Sequence, residues 1–157
     1  MAHIGYMTIT GKTQGLISSG CNSKDSVGEK AQPSHLNEIT VLACHHDMSK
    51  FHADMPKENG AITITKPIDK SSPLLGSAFS KQEHLDIEIK FYRTNASGSN
   101  EHFYSIELIQ AVISGLSFSQ PHANFSNDED LNEQISFRYK DIIWKHLISG
   151  TEGYDIW

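Results

Sequence analysis

The stretch Leu85-Asp86-Ile87-Glu88-Ile89-Lys90-Phe91-Tyr92 constrains the fold more than any other. Apolar odd positions alternate with charged even positions up to Lys90, and a period of two marks a β-strand with one buried and one wet face. Leu85, Ile87, Ile89 and Phe91 are therefore assigned to a core, and Asp86, Glu88 and Lys90 to solvent. On this assignment Ile87→Asp costs several kcal/mol by burying an unpaired carboxylate, while Asp86→Ala changes stability little. Tyr104, Ile106 and Leu108 repeat the pattern against Ser105 and Glu107. The polar link from Arg93 to His102 contains Gly98 and reads as a hairpin loop, so the two strands should pair antiparallel.

The same reasoning extends along the chain. Tyr6–Thr10 reads as a strand followed by a tight turn at Gly11-Lys12, with Gln14–Ser18 as its return. Ile39–His46 and Ala61–Lys66 follow as strands, the second alternating Ile62 and Ile64 with Thr63 and Thr65. Ile135, Phe137 and Tyr139 keep odd parity, but Ile142, Ile143 and Trp144 break it. Such a slip within one long strand predicts a bulge or bend near Asp141. One stretch, Ser72–Lys81, reads as helix: serine precedes proline at the first helical position, and Leu74, Leu75, Ala78 and Phe79 share a face expected to be core. Asn22–Asn37, Ser49–Gly60 and Gln120–Asn132 are polar connections without a period. The sum is a mainly β fold, a β-barrel or two-sheet sandwich with one short α-helix packed alongside, spanning residues 1–157 as a single domain.

Composition narrows the function. A chain of 157 residues with 38% hydrophobic and 20% charged residues is in the ordinary globular range and can bury roughly 70% of its unfolded surface. Lys and Arg number 13 against 19 Asp and Glu, for a formal charge of −6, so no basic stripe is available for nucleic acid. Apolar runs are too short to span a bilayer, and Met1–Gly5 lacks the basic and apolar regions of a cleaved secretory signal. Cys21 and Cys44 lie in different segments without CxxC spacing; they are read as reduced, with a bridge left open should their strands sit side by side.

Chemistry-bearing patterns are missing. Among nine histidines, His45 and His46 are adjacent and point to opposite strand faces, and no pair has HExxH spacing. GxSxG, GxxxxGK[ST] and GxGxxG do not occur. Asp86 and Glu88 share a strand face, but with Lys90 they read as a solvated surface. Asp128-Glu129-Asp130 lacks the alternating ligands of a calcium loop. No catalytic residue, metal or cofactor is assigned.

Four segments together resemble the Hcp (haemolysin-coregulated protein) family of type VI secretion. They are Tyr6–Ile17, with Tyr-Met-Thr-Ile-Thr-Gly-Lys; Lys66–Leu75, with Lys-Pro-Ile-Asp-Lys-Ser-Ser-Pro-Leu-Leu; Phe91–Thr94 followed by His102–Tyr104; and Phe137–His146 running on to Ser149–Trp157. Their order spans almost the whole chain. The resemblance implies a barrel or sandwich with one helix, a homo-hexameric ring, and rings that stack into a tube. It also implies assembly in the bacterial cytoplasm and firing out of the cell without a signal peptide. The implied partners are the spike and sheath components and small effector proteins carried in the lumen. The sequence has no toxin-like extension after Trp157, which favours a stand-alone tube subunit over an enzymatic effector.

Within Ser49–Gly60, Phe51 and Met55 sit among Lys50, His52, Asp54, Lys57 and Glu58, and apolar residues ringed by charge are a contact signature. These seven residues are the candidate ring-stacking loop, with a loop anchor tucked back on the barrel as the other reading. An enzyme would instead require a deep pocket with perturbed titrating groups. A monomeric β-barrel binding a small ligand in its interior is the remaining alternative, and large inward residues such as Ile87, Ile89 and Phe91 argue against it.

Overall fold

The computed structural model describes residues 3–125 and 128–157. In chain order the strands are β1 (Ile4–Gly11), β2 (Gly15–Leu16), β3 (Ile39–Val41), β4 (Ala43–His45), β5 (Met48–Ser49) and β6 (Glu58–Asn59). They continue as β7 (Ile62–Pro67), β8 (Leu85–Thr94), β9 (Asn100–Ser119), β10 (Asn132–Arg138), β11 (Asp141–His146) and β12 (Thr151–Ile156). The α-helices are α1 (Lys24–Val27) and α2 (Ser72–Lys81), with 3-10 turns at Gly28–Lys30 and Pro33–His35.

The β8–β9 hairpin is the centre of the molecule. Ile87 faces Leu108, Ile89 faces Ile106 and Phe91 faces Tyr104 across it. Asn95 closes the turn: its side-chain oxygen accepts the N–H groups of Ser97 and Ser99, each at 3.0 Å, and Gly98 supplies the positive φ of 87°. Leu85, Ile87 and Ile89 are buried as the alternation predicts, while Phe91, nearer the turn, is only half-buried.

β9 belongs to two sheets. Its first part pairs with β8 on one edge and β11 on the other, and from Val112 onward it pairs with β10. The turnover is at Gln110, which adopts φ 50° and donates its N–H to Asp86 Oδ1 at 3.1 Å. Asp86 is thus a bend-holding acceptor, not the dispensable surface charge that its polar phase suggested. The parity slip in the next strand line has the same origin. β10 ends at Arg138, β11 starts at Asp141, and the Lys140 N–H crosses to the Ile109 carbonyl at 3.1 Å, so the bend lies at Tyr139–Lys140.

Residues 39–45 close the barrel. β3 pairs with β1, β4 pairs with β7, and between them the Leu42 N–H donates to the Thr65 carbonyl at 2.8 Å. The interior is filled by Met7, Ile9, Ile39, Ile62, Ile64, Ile89, Ile135 and Phe137, all at 0% exposure. These side chains pack as one continuous hydrophobic cluster.

Three sequence expectations change. In α2, Leu75 and Ala78 are buried, but Leu74 and Phe79 are each 37% exposed. A ten-residue helix resting on one strand buries a narrow i, i+3 seam, and these two lie at its margins, each one i, i+4 step, about 40°, beyond the nearer seam residue. The return strand after β1 shrinks to Gly15–Leu16, because Glu83 Oε2 accepts the N–H groups of Thr13 and Gln14 at 3.0 and 2.9 Å and holds the turn. The Asn22–Asn37 connection carries α1 and both 3-10 turns, and His35 stacks on Tyr6 at 3.7 Å between ring centroids. Cys21 is buried, Cys44 half-buried, and both are free. Burial pushes each thiol up to about 11.

A buried charged cluster was not anticipated. Lys66 Nζ lies 2.5 Å from Glu133 Oε1 and 3.1 Å from Asp69 Oδ1, and donates to the Pro67 carbonyl at 3.0 Å. The Lys66 side chain is 0% exposed, Asp69 1% and Glu133 5%. Ser72 Oγ bonds Glu133 Oε1 at 3.0 Å and accepts the Asp69 N–H at 3.1 Å. The net negative charge sits at the N-terminus of α2, where the helix dipole favours it.

Candidate assembly site

Six of the seven residues of the candidate stacking loop stand on a ribbon of two residue pairs, Met48 opposite Asn59 and Ser49 opposite Glu58, and Glu58 is the seventh. Phe51 is 84% exposed at the tip and meets His52 edge-on at 4.7 Å. Met55 is 45% exposed, and its N–H turns back to the His52 carbonyl at 3.0 Å. Lys50, His52, Asp54 and Glu58 are exposed around them. Lys57 alone turns inward: Nζ donates to the Ile156 carbonyl at 2.8 Å and lies 3.4 Å from Asp155 Oδ2.

Further apolar groups reach solvent elsewhere. Leu147 (43%) and Ile148 (56%) form the tip of the β11–β12 hairpin, next to the start of β9 through the Leu147 N–H to Phe103 carbonyl bond of 2.9 Å. The 50–57 loop meets the opposite end of β12, at Asp155–Ile156. The length of a six-residue strand, about 20 Å, separates the Leu147-Ile148 tip from the point on β12 where Lys57 anchors the loop. Phe118 is 60% exposed on the last third of β9. Among the described residues, β9 beyond Val112 pairs only with β10 and β12 pairs only with β11, so each leaves one edge unpaired.

The sequence reading picked out the 50–57 loop but not Leu147-Ile148, Phe118 or the two edges. The adjacent apolar pair Leu147-Ile148 before Ser149-Gly150 was a usable signal, because apolar residues at a hairpin tip cannot reach the core. Strand edges have no such signal, since pairing partners are set by topology.

Titratable groups are arranged for packing. His46 Nε2 lies 2.8 Å from the Tyr139 hydroxyl; burial holds His46 below its ordinary 6.5, against the pull of Asp47. Burial, then Asp155, pushes Tyr139 up to about 12. His102 is also held low by burial, partly offset by Glu88. Glu83 is pushed up by burial, but the N–H groups of Gln14 and Thr13 and the Gln14 amide outweigh this and hold it low. Among the described residues no group of three or more His, Cys, Asp or Glu is placed to hold a metal ion. A groove of about 1120 Å³ lies outside the barrel, between residues 26–32 and 128–132, over Ile4, Leu42 and Leu131; a Lys30–Asp130 ion pair joins its two walls.

The type VI secretion system effector model of Hcp proteins matches residues 6–146. The chain belongs to the Hcp family. The "Major exported protein" of Pseudomonas aeruginosa is 36% identical, with 100% of this chain and 96% of that protein covered. A crystal structure of an Hcp protein superposes with a TM-score of 0.94 at 30% identity, covering 99% of this chain and 98% of that one. The secreted protein Hcp3 from Pseudomonas aeruginosa gives a TM-score of 0.88 at 36% identity, with 99% of each chain covered. The Hcp fold is thus the barrel with α2 alongside, and the exposed loop, hairpin tip and strand edges are features of this Hcp chain's surface.

Proposed function

We propose that this Hcp chain is a structural, non-enzymatic subunit of the type VI secretion inner tube. Six copies close into a ring, rings stack, and the tube is assembled in the cytoplasm and exported with small effectors in its lumen. The observation that carries the reading is a pair of exposed apolar tips, Leu147/Ile148 at the turn of the β11–β12 hairpin and Phe51/Met55 on a loop that Lys57 anchors at the hairpin's other end. A stack of identical rings needs two different, complementary faces on each copy, which is the heterologous contact that open stacking requires. The unpaired edges of β9 and β12 supply a second pair of unlike surfaces for lateral closure, and free edges of this kind recruit strands. The fold of secreted relatives and the name of the exported one support export, and membership of the family supports the spike, sheath and effectors as partners.

The test is the solution mass by light scattering, with negative-stain images of the same fraction. A species near six times the 17.5 kDa chain with a central hole is expected. A clean monomer at high concentration overturns the ring reading. Phe51→Ser with Met55→Ser should leave single rings intact and shorten tubes.

A further inference from the structure

The two stems of the 50–57 loop reach residues 155–157 by different routes, one directly to Asp155 and Ile156 and the other through Tyr139 to Trp157. On the β6 side, Lys57 Nζ holds the Ile156 carbonyl at 2.8 Å and Asp155 at 3.4 Å, and the Asn59 side-chain amide reaches the same carbonyl at 3.4 Å. On the β5 side, His46 bonds Tyr139, whose ring meets Trp157 edge-on at 4.9 Å. Trp157 is itself fixed, donating its N–H to the Lys140 carbonyl at 2.9 Å and lying under the Arg138 guanidinium at 5.1 Å. The stems are drawn together by the Gly60 N–H to Asp47 carbonyl bond of 2.9 Å, and a Cβ at Gly60 would lie 2.6 Å from that oxygen.

This anchoring matters because the ribbon cannot support itself. A hairpin of two residue pairs is not stable alone in water, and an exposed aromatic on a loose loop loses affinity to the entropy of ordering it. Lys57 makes the only ion pair between the loop and the barrel among the described residues.

We propose that residues Asp155–Trp157 act as a clamp that pre-orients the 50–57 loop, with Lys57 as the positioning residue through which the loop engages a second copy of this chain in the next ring. The proposal rests on the ring-stacking reading above. Lys57 itself does not make the contact; it holds Phe51 and Met55 where the contact is made.

The experiment compares Lys57→Ala, Lys57→Arg and the Phe51→Ser/Met55→Ser pair in the full chain. In Lys57→Ala rings, amide hydrogen exchange across residues 50–57 should quicken several-fold, while exchange in β8 and β9, melting temperature and ring mass hold. Ring–ring association should weaken roughly tenfold, read as shorter tubes. Lys57→Arg should restore both readouts. Lys57→Ala added to the Phe51/Met55 pair should shorten tubes no further, because the lysine acts through those two side chains. Unchanged exchange at 50–57 overturns the clamp, whatever the tubes do. Faster exchange with tubes of full length, where the Phe51/Met55 pair does shorten them, removes Lys57 from stacking but leaves the stacking reading intact. Full-length tubes from the Phe51/Met55 pair as well refute the stacking role of the loop, and that of Lys57 with it.

Discussion

Lys66→Met is the perturbation that most directly tests how this barrel is held together. The ammonium is fully buried within 3.2 Å of Glu133, Asp69, the Pro67 carbonyl and Ser72 Oγ. At an effective dielectric near 20, each ion-pair contact at these separations is worth about 5 to 7 kcal/mol before desolvation. Most of that gross attraction offsets the cost of burying three charges, so it is not the expected loss. The loss comes from leaving two carboxylates buried without a cation, and breaking a buried pair costs about 3–5 kcal/mol. The α2 dipole returns at most about 1 kcal/mol of this, since only the first helical turn is in reach. A penalty near 3 kcal/mol is a large share of a typical domain stability of about 5–15 kcal/mol. Urea melts at fixed protein concentration provide the measurement, with the denaturant slope as a check that the transition is unchanged. The double variant Lys66→Met/Glu133→Leu should recover much of the loss, because Asp69 still accepts the Ser71 N–H at 2.9 Å. A single-variant cost below about 1 kcal/mol, or a double variant worse than the single, would show that the buried cluster is not a charge-compensated unit.

Ile87→Asp should cost at least about 3 kcal/mol in thermal or urea melts, since Ile87 is 3% exposed. Asp86→Ala should cost about 1 kcal/mol, more than a free surface charge, by removing the acceptor of the Gln110 N–H; equal tolerance of the two would invert the assigned strand faces. Gln110→Gly should be neutral or raise stability by up to about 1 kcal/mol, whereas Gln110→Val should lower it, because φ is positive and β-branched residues resist that region. His46 and His102, both held below 6.5, should titrate low by NMR; the fold then binds fewer protons than the unfolded chain, so stability is full above pH 6.5 and falls as pH drops below it. His46→Gln and His102→Gln should each flatten that fall, and wild-type stability that rises on acidification from 6.5 would contradict the sign.

Much of the fold was legible because β-strand parity is a strong local signal. The 85–92 alternation located the β8 faces, the Ser-Pro start located α2, and the parity slip after Tyr139 located the bend between β10 and β11. The same signal extends to the buried charges. Lys66 shares the phase of Ile62 and Ile64, and Glu133 that of Ile135 and Phe137, so parity alone points both charges inward. Their strands pair with Glu133 opposite Lys66, and only the strand order, which no local pattern encodes, brings them together. Asp86 shows the converse: its phase was right, but its partner Gln110 is set by a bend 24 residues away.

The candidate assembly site divides along the same line. Phe51 and Met55 were visible because apolar residues in a charged loop violate local composition, and the structure places Phe51 at 84% exposure. The group that orients them was not, because Lys57 reads as one more loop charge until β12 brings the Ile156 carbonyl to it from 99 residues away. A contact residue advertises itself by being out of place, whereas a positioning residue is out of place nowhere and gains its role only from the register of a distant strand. For this Hcp chain, a single substitution that leaves composition, charge phase and core untouched, such as Asn59→Ala at the same carbonyl, should therefore act on loop order and be silent in the monomer's melt.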